Sequence, residues 1–472
     1  MADEPVTDSA HAATTPTGGD PVPDPSSTTA NPLVGGPWRT PGLLDLLRSW
    51  LPAQRWFPAK GTTGDVEPVA VVELTDPAGE AEVGLHLVRL PSGALLQVPL
   101  VIRHDDDAPL EGAPTVGRLD DGRVVVDGCH DAAFVRAWLA SAERDAGVPV
   151  GDPATAASTM RVVSGEQSNT SVLLPDATPP GILKVFRGVG AGANPDVEVP
   201  LALSHVGWSG VPRPLAWLTG AWPGDDAGRS TVAGHLGVLS ELVVGAEDGF
   251  ELACRMAGAG ESFGALALDL GRTTAEMHDA LRRAVPVPGP EDPAAADDVV
   301  RTLRARAAAA VAAAPVLADR ADAVDRVLSS VTGLGTLPPL QRVHGDYHLG
   351  QVLHSSARGW SVLDFEGEPQ ASPEERMRPD LPMRDLAGML RSLDYAAAVG
   401  GATSPEWDAE ARARLVDGYL TASGGGTADD VTLALLRALE LDKALYEVVY
   451  EVRNRPTWVP IPLAGVDRLL QD

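Results

Sequence analysis

The stretch RVHGDYHLGQVLHSSARGWSVLDFEGEP, residues 342–369, holds the residues from which the architecture and chemistry of this protein can be inferred. It places seven polar residues among short apolar runs: His344, Asp346, His348, Gln351, Asp364, Glu366 and Glu368. A packed core does not tolerate so many polar groups unless each has a partner. The stretch is therefore either a metal and phosphate site or an unusually charged turn.

The spacing within this stretch fits phosphoryl transfer from a nucleotide. That reaction needs a base for the acceptor hydroxyl, oxygen ligands for Mg²⁺ and positive charge near the phosphates. Asp346 follows a short strand pattern, and Gln351 comes five residues later, which is the separation of base and metal ligand in a kinase catalytic loop. Asp364 ends a second short strand, 18 residues after Asp346. We therefore predict Asp346 as the base and Gln351 and Asp364 as metal ligands.

A zinc site is the alternative for this stretch, because His344 and His348 are four residues apart. They lie on a loop after a strand, and the sequence offers no third nitrogen or thiolate ligand nearby. A role for these histidines in a catalytic loop is therefore favoured over zinc binding.

The ATP-binding residues are expected upstream of this stretch. SGEQSNTSV, residues 164–172, is a polar turn between two strands, and Lys184 lies on the next strand, with Glu198 in a helix beyond it. The turn alone could be a plain hairpin, and the lysine alone an edge residue with its amine in water. Their order relative to Asp346 and Asp364 instead predicts a phosphate loop, a phosphate-binding Lys184 and an ion-pair partner, Glu198. The residues predicted to contact ATP in the loop are Gly165, Gln167, Ser168, Asn169 and Thr170.

The chain divides into four regions by composition and pattern. Residues 1–36 are rich in Pro, Ser, Thr, Gly and Asp and predict a disordered, dispensable tail. Residues 37–128 predict a small α+β cap subdomain, beginning with an amphipathic helix at 43–51, and residues 129–244 an intermediate N-lobe with the lysine strand. Residues 245–472 are mainly helical and predict a C-lobe that carries the catalytic loop, the metal site and the sugar site.

Composition limits the partners of such a protein. The 472 residues carry a formal net charge of −28, which repels nucleic acid and anionic membranes. No apolar run is long enough to span a bilayer, and the amino terminus has no signal-peptide pattern, so we expect a cytoplasmic protein. Cys129 and Cys254 cannot form a disulfide framework, and their apolar surroundings indicate buried structural residues. We expect a monomer that binds a small molecule.

Several motifs resemble those of the actinobacterial maltokinases and the maltokinase-like glucosamine kinases. The resemblance runs from about Leu43 to the end of the chain and is carried by QRWFPAKG, GEQSNTSV, LGRTTAEMHDAL, RVHGDYHLGQVL, WSVLDFEGEP, RDLAGMLRSLDYAA and LDKALYEVVYEVRNRPTWVPIP. It implies the two-lobed α+β fold of protein kinases and aminoglycoside phosphotransferases, with an additional N-terminal cap. It also implies an ATP-dependent and Mg²⁺-dependent sugar kinase.

The resemblance extends the set of predicted site residues. It repeats the roles of Asp346, Gln351, Asp364, Lys184 and Glu198, and implies that Glu241 to Val243 form the hinge that contacts adenine. It implies sugar contacts from His348, Arg384, Asp442, Lys443, Tyr446 and Glu447. The residues of the last motif also fit a plain helix core, so spacing alone does not establish the sugar contacts.

Two departures from the maltokinase pattern bear on which sugar is the acceptor. Pro58 and Ala59 precede Lys60, where maltokinases typically have an Ala-Gly pair, and Tyr347 is bulkier than the leucine often found there. Both are expected to reduce the room for a disaccharide. The chain as a whole most resembles the glucosamine kinase branch, which implies that the acceptor is glucosamine, phosphorylated to glucosamine 6-phosphate.

Other acceptors remain as alternatives to glucosamine. Maltose, converted to maltose 1-phosphate, is the second candidate, and an aminoglycoside is the third, disfavoured by the cap. A buried ammonium group needs a carboxylate, and Asp442, Glu447 and Glu451 can each supply one. Because maltokinases have acids in the same motif, these carboxylates do not discriminate between the sugars.

Overall fold

A computed structural model describes the conformation of most of the chain. The described residues are 32–58, 65–104, 114–149, 151–163, 169–225, 229–287, 296–332, 337–368, 373–424 and 429–471. Within them, strands dominate the first half of the chain and helices the second half. The predicted α+β architecture with two lobes and an N-terminal cap is confirmed.

The cap is a mainly antiparallel sheet with one helix packed on it. The chain begins with the short strand β1 (Leu33–Val34), and the cap elements that follow are α1 (Leu43–Trp50), β2 (Glu67–Thr75), β3 (Glu82–Arg89), β4 (Leu95–Arg103), β5 (Thr115–Arg118) and β6 (Val124–Asp127). The cap sheet has the order β2-β3-β4-β6-β5. Leu43 and Leu47, four residues apart on α1, are fully buried in one cluster with Val98 and Leu100 of β4.

The N-lobe is built around a second sheet that carries Lys184. Its elements are α2 (Ala132–Ser141), β7 (Glu143–Arg144), α3 (Pro153–Ser158), β8 (Arg161–Val162), β9 (Asn169–Leu174), β10 (Gly181–Phe186), β11 (Gly188–Val189), α4 (Pro195–His205), β12 (Pro214–Pro223) and β13 (Thr231–Glu241). The sheet order is β1-β12-β13-β10-β9-β8, with β7 also paired to β12. Lys184 therefore lies on a central strand, and not on an edge strand as the alternative interpretation required.

The cap and the N-lobe share one hydrophobic core. Leu85 and Val101 of the cap sheet pack in the same cluster as Trp138 of α2 and Leu183 of β10. Strand β11 pairs with β4 of the cap, and the Gln97 amide donates hydrogen bonds of 2.8 Å to carbonyls of Phe186 on β10 and of β13. The lysine strand is thus fixed to the cap by both apolar and polar contacts.

The C-lobe is a helical bundle with one small sheet beside it. Its elements are β14 (Glu247–Asp248), α5 (Gly249–Ala259), α6 (Gly264–Ala284), α7 (Ala296–Ala313), α8 (Ala321–Ser329), β15 (Val352–Ser355), β16 (Gly359–Val362), α9 (Pro373–Arg376), α10 (Met383–Gly400), α11 (Pro405–Ala422), α12 (Asp430–Asn454) and α13 (Pro460–Gln471). Helix α10 lies at its centre, since twelve of its residues are buried. Among the described helices, none has both the length and the apolar character needed to cross a bilayer.

A buried arginine connects the strand after the predicted phosphate loop to the cap. Arg187 is only 1% exposed and forms an ion pair of 2.9 Å with Asp127, at the end of β6. Its guanidinium lies 4.2 Å from the ring centre of Trp56, in the QRWFPAKG motif. Its Nε donates to Thr170 Oγ1 at 2.9 Å, and its backbone amide donates to Asn169 Oδ1 at 3.3 Å. The strand that leaves the phosphate loop is therefore held by the cap.

The prediction of a disordered tail over residues 1–36 is wrong for its last residues. Leu33 and Val34 form β1, which pairs in parallel with β12, and the Leu33 side chain packs on the shared core. Gly36 exchanges two hydrogen bonds with Val71, of 2.8 and 2.9 Å. Two apolar residues are too few to form a pattern, so the sequence alone does not separate them from the tail. Residues 1–31 lie outside the described part of the chain.

We predict that replacing Arg187 with Met lowers the free energy of unfolding by about 3–5 kcal/mol, because Asp127 is left charged and buried without its partner. Chemical denaturation monitored by circular dichroism measures this loss. The Arg187→Met/Asp127→Leu double variant should recover part of it, because neither buried charge remains. A single variant as stable as the wild type would contradict the structural role of this pair.

We predict that a chain beginning at Gly36 is less stable than one beginning at Asn31. The shorter chain loses strand β1 and the hydrogen bond from the Gly35 amide to the Ala221 carbonyl, and this should cost about 1–3 kcal/mol of the free energy of unfolding. Urea unfolding of the two purified chains measures the difference. Equal stability would show that β1 contributes nothing to the fold.

Candidate active site

Lys184 lies between the lobes, surrounded by three carboxylates. Its Nζ is 2.7 Å from Asp196, 3.0 Å from Asp364 and 3.6 Å from Glu366. Burial by itself lowers the pKa of Lys184, but the three carboxylates outweigh it and hold that pKa well above its ordinary value. Lys184 is therefore a permanent positive charge that joins β10 to α4 and to the residues after β16.

The ion-pair partner predicted for Lys184, Glu198, is wrong, because Asp196 takes this place. Helix α4 begins at Pro195 with Asn194 as its N-cap, so Asp196 lies in the first turn, where it is buried. Two residues correspond to about 200° around a helix. Glu198 consequently points away from Lys184 and is exposed. The sequence contains both acids in this turn, and only the phase of the helix distinguishes them.

Asp364 has an unusual backbone conformation for a residue other than glycine. It is the one non-glycine residue with a positive φ, 60°, among those the structure describes. Burial raises the pKa of Asp364, but the Lys184 ammonium group outweighs this effect, and the pKa is lowered overall. The Gln351 side-chain amide donates to Asp364 at 3.3 Å, so the two predicted metal ligands are brought together.

The residues of this centre fit Mg²⁺. Carboxylate oxygens of Asp196, Asp364 and Glu366 lie within 4.8 Å of one another. Three carboxylates and the Lys184 ammonium group leave two negative charges, which a divalent cation can balance. Oxygen donors of carboxylate and amide type are those Mg²⁺ prefers. Asp364 and Gln351 would hold the ion, with Asp196 or Glu366 able to contribute oxygen; the sequence analysis did not predict these last two as ligands.

Asp346 lies on the catalytic loop with two basic side chains beside it. Lys443 Nζ of α12 is 3.7 Å from one carboxylate oxygen, and His348 Nε2 is 3.9 Å from the other. Burial is the main cause of a lowered pKa for His348, which favours its neutral form. Asp346 is therefore a partly exposed carboxylate, close to an ammonium group and a neutral imidazole.

A buried aspartate that the sequence analysis missed holds the catalytic loop in place. Asp385 of α10 accepts hydrogen bonds from the backbone amides of His344 and Gly345, at 2.8 and 3.0 Å. It also contacts His278 of α6 at 3.0 Å. In the sequence, Asp385 belongs to the motif RDLAGMLRSL, but the resemblance assigns a role only to the preceding residue, Arg384.

A glycine on the same helix lets the catalytic loop approach closely. Gly388 of α10 lies one turn after Asp385, and a Cβ there would be 2.6 Å from the Tyr347 carbonyl oxygen. Any larger residue would push the loop away from the helix. Helix α10 therefore holds the backbone of the loop that carries Asp346 and sets the distance between this loop and the helix.

The nucleotide-contacting residues are only partly within the described chain. Gly165, Gln167 and Ser168 lie outside it. Asn169 and Thr170 are buried on β9, where both side chains contact Arg187. Their contact with ATP stays a prediction.

The predicted hinge follows β13 and leads towards α5. The Glu241 side chain pairs with Arg358 at 2.7 Å, and the Leu242 amide donates to the Pro180 carbonyl. Val243 is buried beside them. Contact of these residues with adenine stays a prediction.

A cavity of about 940 Å³ lies on the C-lobe side of the catalytic loop. Gly345 and Tyr347, on either side of Asp346, line it, as do four of the predicted sugar contacts: Arg384, Asp442, Lys443 and Tyr446. Lys443 lies 5.2 Å from the centre of the Tyr446 ring. Burial, together with the charges of Glu368 and Asp346, raises the pKa of Tyr446 to about 12, which keeps its hydroxyl protonated.

Two of the predicted sugar contacts do not line this cavity. Glu447 is bound by Arg391 at 2.9 Å, and Arg391 belongs to a buried network with Asp394 between α10 and α12. His348 turns towards the Gly350 amide, which it caps at 3.1 Å. Glu447 is therefore a better candidate for a structural residue than for a direct sugar contact, whereas His348 stays close to the reacting centre through Asp346.

The Tyr347 side chain is buried, contrary to the expectation that it narrows the sugar site. The Tyr347 side chain is 3% exposed, and its hydroxyl forms a hydrogen bond of 3.1 Å with Thr274 of α6. The ring thus packs into the helical core, although Tyr347 is among the residues that line the cavity. Pro58 is exposed and does not line the cavity, while Ala59 and Lys60 lie outside the described residues.

Comparison with known proteins finds two families that match separate parts of this chain. The maltokinase N-terminal cap domain matches residues 50–131, and the phosphotransferase enzyme family matches residues 257–434. The first match covers the cap sheet, and the second covers the catalytic loop and the helices around the cavity. The elements that carry Lys184 lie between them.

Curated relatives and solved structures extend the similarity to most of the chain. The glucosamine kinase of Mycolicibacterium smegmatis is 29% identical over 66% of this chain and 80% of its own length. That of Streptacidiphilus jiangxiensis is 29% identical over 65% of this chain and 72% of its own length. A solved glucosamine kinase in complex with glucosamine, ADP and inorganic phosphate matches 92% of this chain and 100% of its own, with 26% identity and a TM-score of 0.62. The chain is therefore an ATP-dependent sugar kinase that is similar to the maltokinase cap domain and to the phosphotransferase family in separate parts, and to glucosamine kinases along most of its length.

Proposed function

We propose that this protein transfers the γ-phosphoryl group of ATP to the 6-hydroxyl group of glucosamine. The observation that carries the proposal is the position of Asp346 between two sites. On one side, Gly345 and Tyr347 line the large cavity. On the other, His344 contacts the Leu363 carbonyl at 2.8 Å, directly before Asp364. An acceptor in the cavity and a nucleotide at Asp364 would therefore meet at Asp346.

Asp346 is suited to orient the acceptor hydroxyl and to take its proton. As the oxygen of the acceptor forms its bond to the γ-phosphorus, the bond to the β-phosphate oxygen breaks and ADP leaves. Lys184 supplies positive charge to the phosphates from the N-lobe side, and Lys443 does so beside Asp346. Bound Mg²⁺ would supply charge neutralisation on the phosphate oxygens. The chain itself therefore contributes position, charge and one proton acceptor.

Glucosamine is favoured by the similarity to glucosamine kinases, and the cavity wall includes carboxylates that could pair with an ammonium group. A desolvated ammonium group needs a carboxylate partner, and the cavity has several carboxylates on its walls. Maltose is the second candidate, because a volume of about 940 Å³ leaves room for a second ring and Tyr347 does not occupy that room. The choice between them therefore depends on charge and not on size.

We predict that glucosamine is the preferred acceptor in an assay with ATP and Mg²⁺. Glucose should have a kcat/KM lower by about 10³-fold, because its neutral 2-hydroxyl leaves a desolvated carboxylate without a partner. ADP release measures the rate, and ³¹P NMR identifies the phosphorylated oxygen. Maltose and a panel of aminoglycosides serve as the competing acceptors. Faster conversion of maltose to maltose 1-phosphate would replace the glucosamine proposal with the maltokinase alternative.

We predict that Asp346→Asn lowers kcat by about 10²–10⁴-fold, because the amide cannot accept the proton of the acceptor. The variant keeps the size of the side chain, so ATP binding measured by calorimetry should stay close to that of the wild type. Steady-state kinetics with the preferred acceptor give kcat. Turnover near the wild-type rate would exclude Asp346 as the base.

A further inference from the structure

Most of the carboxylates that line the acceptor cavity already have cationic or hydrogen-bonding partners. Asp442 accepts hydrogen bonds from Arg306 at 3.0 Å and Arg384 at 2.9 Å, and its side chain is only 2% exposed. Arg384 also pairs with Asp380 at 2.6 Å. Asp385 is used by the catalytic loop. These groups are neutralised by the protein and form the wall of the cavity.

The two lining carboxylates at the outer side of the cavity are engaged as well. Asp298 pairs with Arg301, one turn later on α7. Glu375 is exposed to solvent and is not without an interaction partner. Neither is therefore available as a desolvated, unneutralised charge.

Glu368 differs from all of these carboxylates. It lines the cavity and is half-buried, and no residue in the described ranges forms an ion pair with it. Its backbone lies against the catalytic loop, since a Cβ on Gly345 would be 3.2 Å from Gly367 Cα and 3.8 Å from the Glu368 nitrogen. Its charge acts on Tyr446 together with that of Asp346. A carboxylate without an ion pair in the described ranges thus lines the cavity next to the catalytic loop.

We infer that Glu368 is the carboxylate that pairs with the ammonium group of an amino-sugar acceptor and so determines the preference for glucosamine over glucose. This inference rests on the proposed function. A half-buried carboxylate without a cationic partner is unfavourable, and the 2-ammonium group of the sugar is a cation that can reach it. A neutral 2-hydroxyl can donate a hydrogen bond to it but cannot neutralise it.

The geometry of a pyranose ring separates the ammonium group from the reacting hydroxyl group. C2 and C5 lie across the ring from each other, so the 2-ammonium group is at the opposite end of the sugar from the 6-hydroxyl. With the 6-hydroxyl at Asp346, the ammonium group needs a second carboxylate elsewhere on the cavity wall. Because Asp442 is neutralised by two arginines, it is better suited to hydroxyl groups and to holding α7, α10 and α12 together.

The test compares Glu368→Gln with the wild type on glucosamine and on glucose. Gln keeps the size of the side chain and removes its charge. We expect kcat/KM for glucosamine to fall about 10- to 100-fold, the loss expected for one hydrogen bond to a charged group, mainly through KM. For glucose it should stay unchanged or rise, because the unneutralised charge is gone. Glu276→Gln, at an exposed position of α6, is the matched control and should leave both sugars unaffected.

Each result of this experiment has a distinct meaning. Equal losses on both sugars in Glu368→Gln, or no loss on glucosamine, would overturn the inference while the wild-type activity still supports the proposed function. Absence of glucosamine turnover in the wild type would overturn the proposed function and this inference with it. Thermal unfolding of the variant, compared with the Glu276→Gln control, separates a loss of fold from a loss of specificity.

Discussion

The ammonium group of Lys184 is the interaction on which the arrangement of this protein depends. It joins a central strand of the N-lobe to Asp364, 180 residues later in the chain. Three carboxylates converge on this one cation, and such a group of like charges is unfavourable without it. The lobes therefore meet in a defined orientation at the residues that are predicted to hold the phosphates and the divalent cation.

Buried interactions on both sides of this site hold its parts in place. On the N-lobe side, Arg187 and Gln97 connect the lysine strand and the first residues of β9 to the cap. On the C-lobe side, Asp385 holds two backbone amides of the catalytic loop. Preorganised groups of this kind lose little freedom when the reactants bind. Within the described residues, the cap therefore influences the site through its contacts with β10.

Sequence reasoning predicted those features that depend on local order. The five-residue step from Asp346 to Gln351 lies within one loop, so the spacing of the residues already places them close together in space. The ion-pair partner of Lys184 could not be chosen in the same way, because Asp196 and Glu198 differ only in helical phase. Asp385 was missed because its partners are backbone amides about 40 residues away, which carry no sequence signature. Strand β1 was missed because its two residues are ordered by β12.

The acceptor cavity shows why residue type alone does not identify a binding group. Asp442 and Glu368 are both carboxylates on its wall, and the family motif offers Asp442 as one of three candidates. In the structure, two guanidinium groups neutralise Asp442, so its charge is already used within the protein. Glu368 follows a glycine with a positive φ of 75°, which turns the chain beside the catalytic loop. A cationic ligand binds most favourably to a carboxylate that has no cationic partner within the protein. Only the folded structure shows which of these two carboxylates is already paired, and this distinguishes a structural role from a binding role.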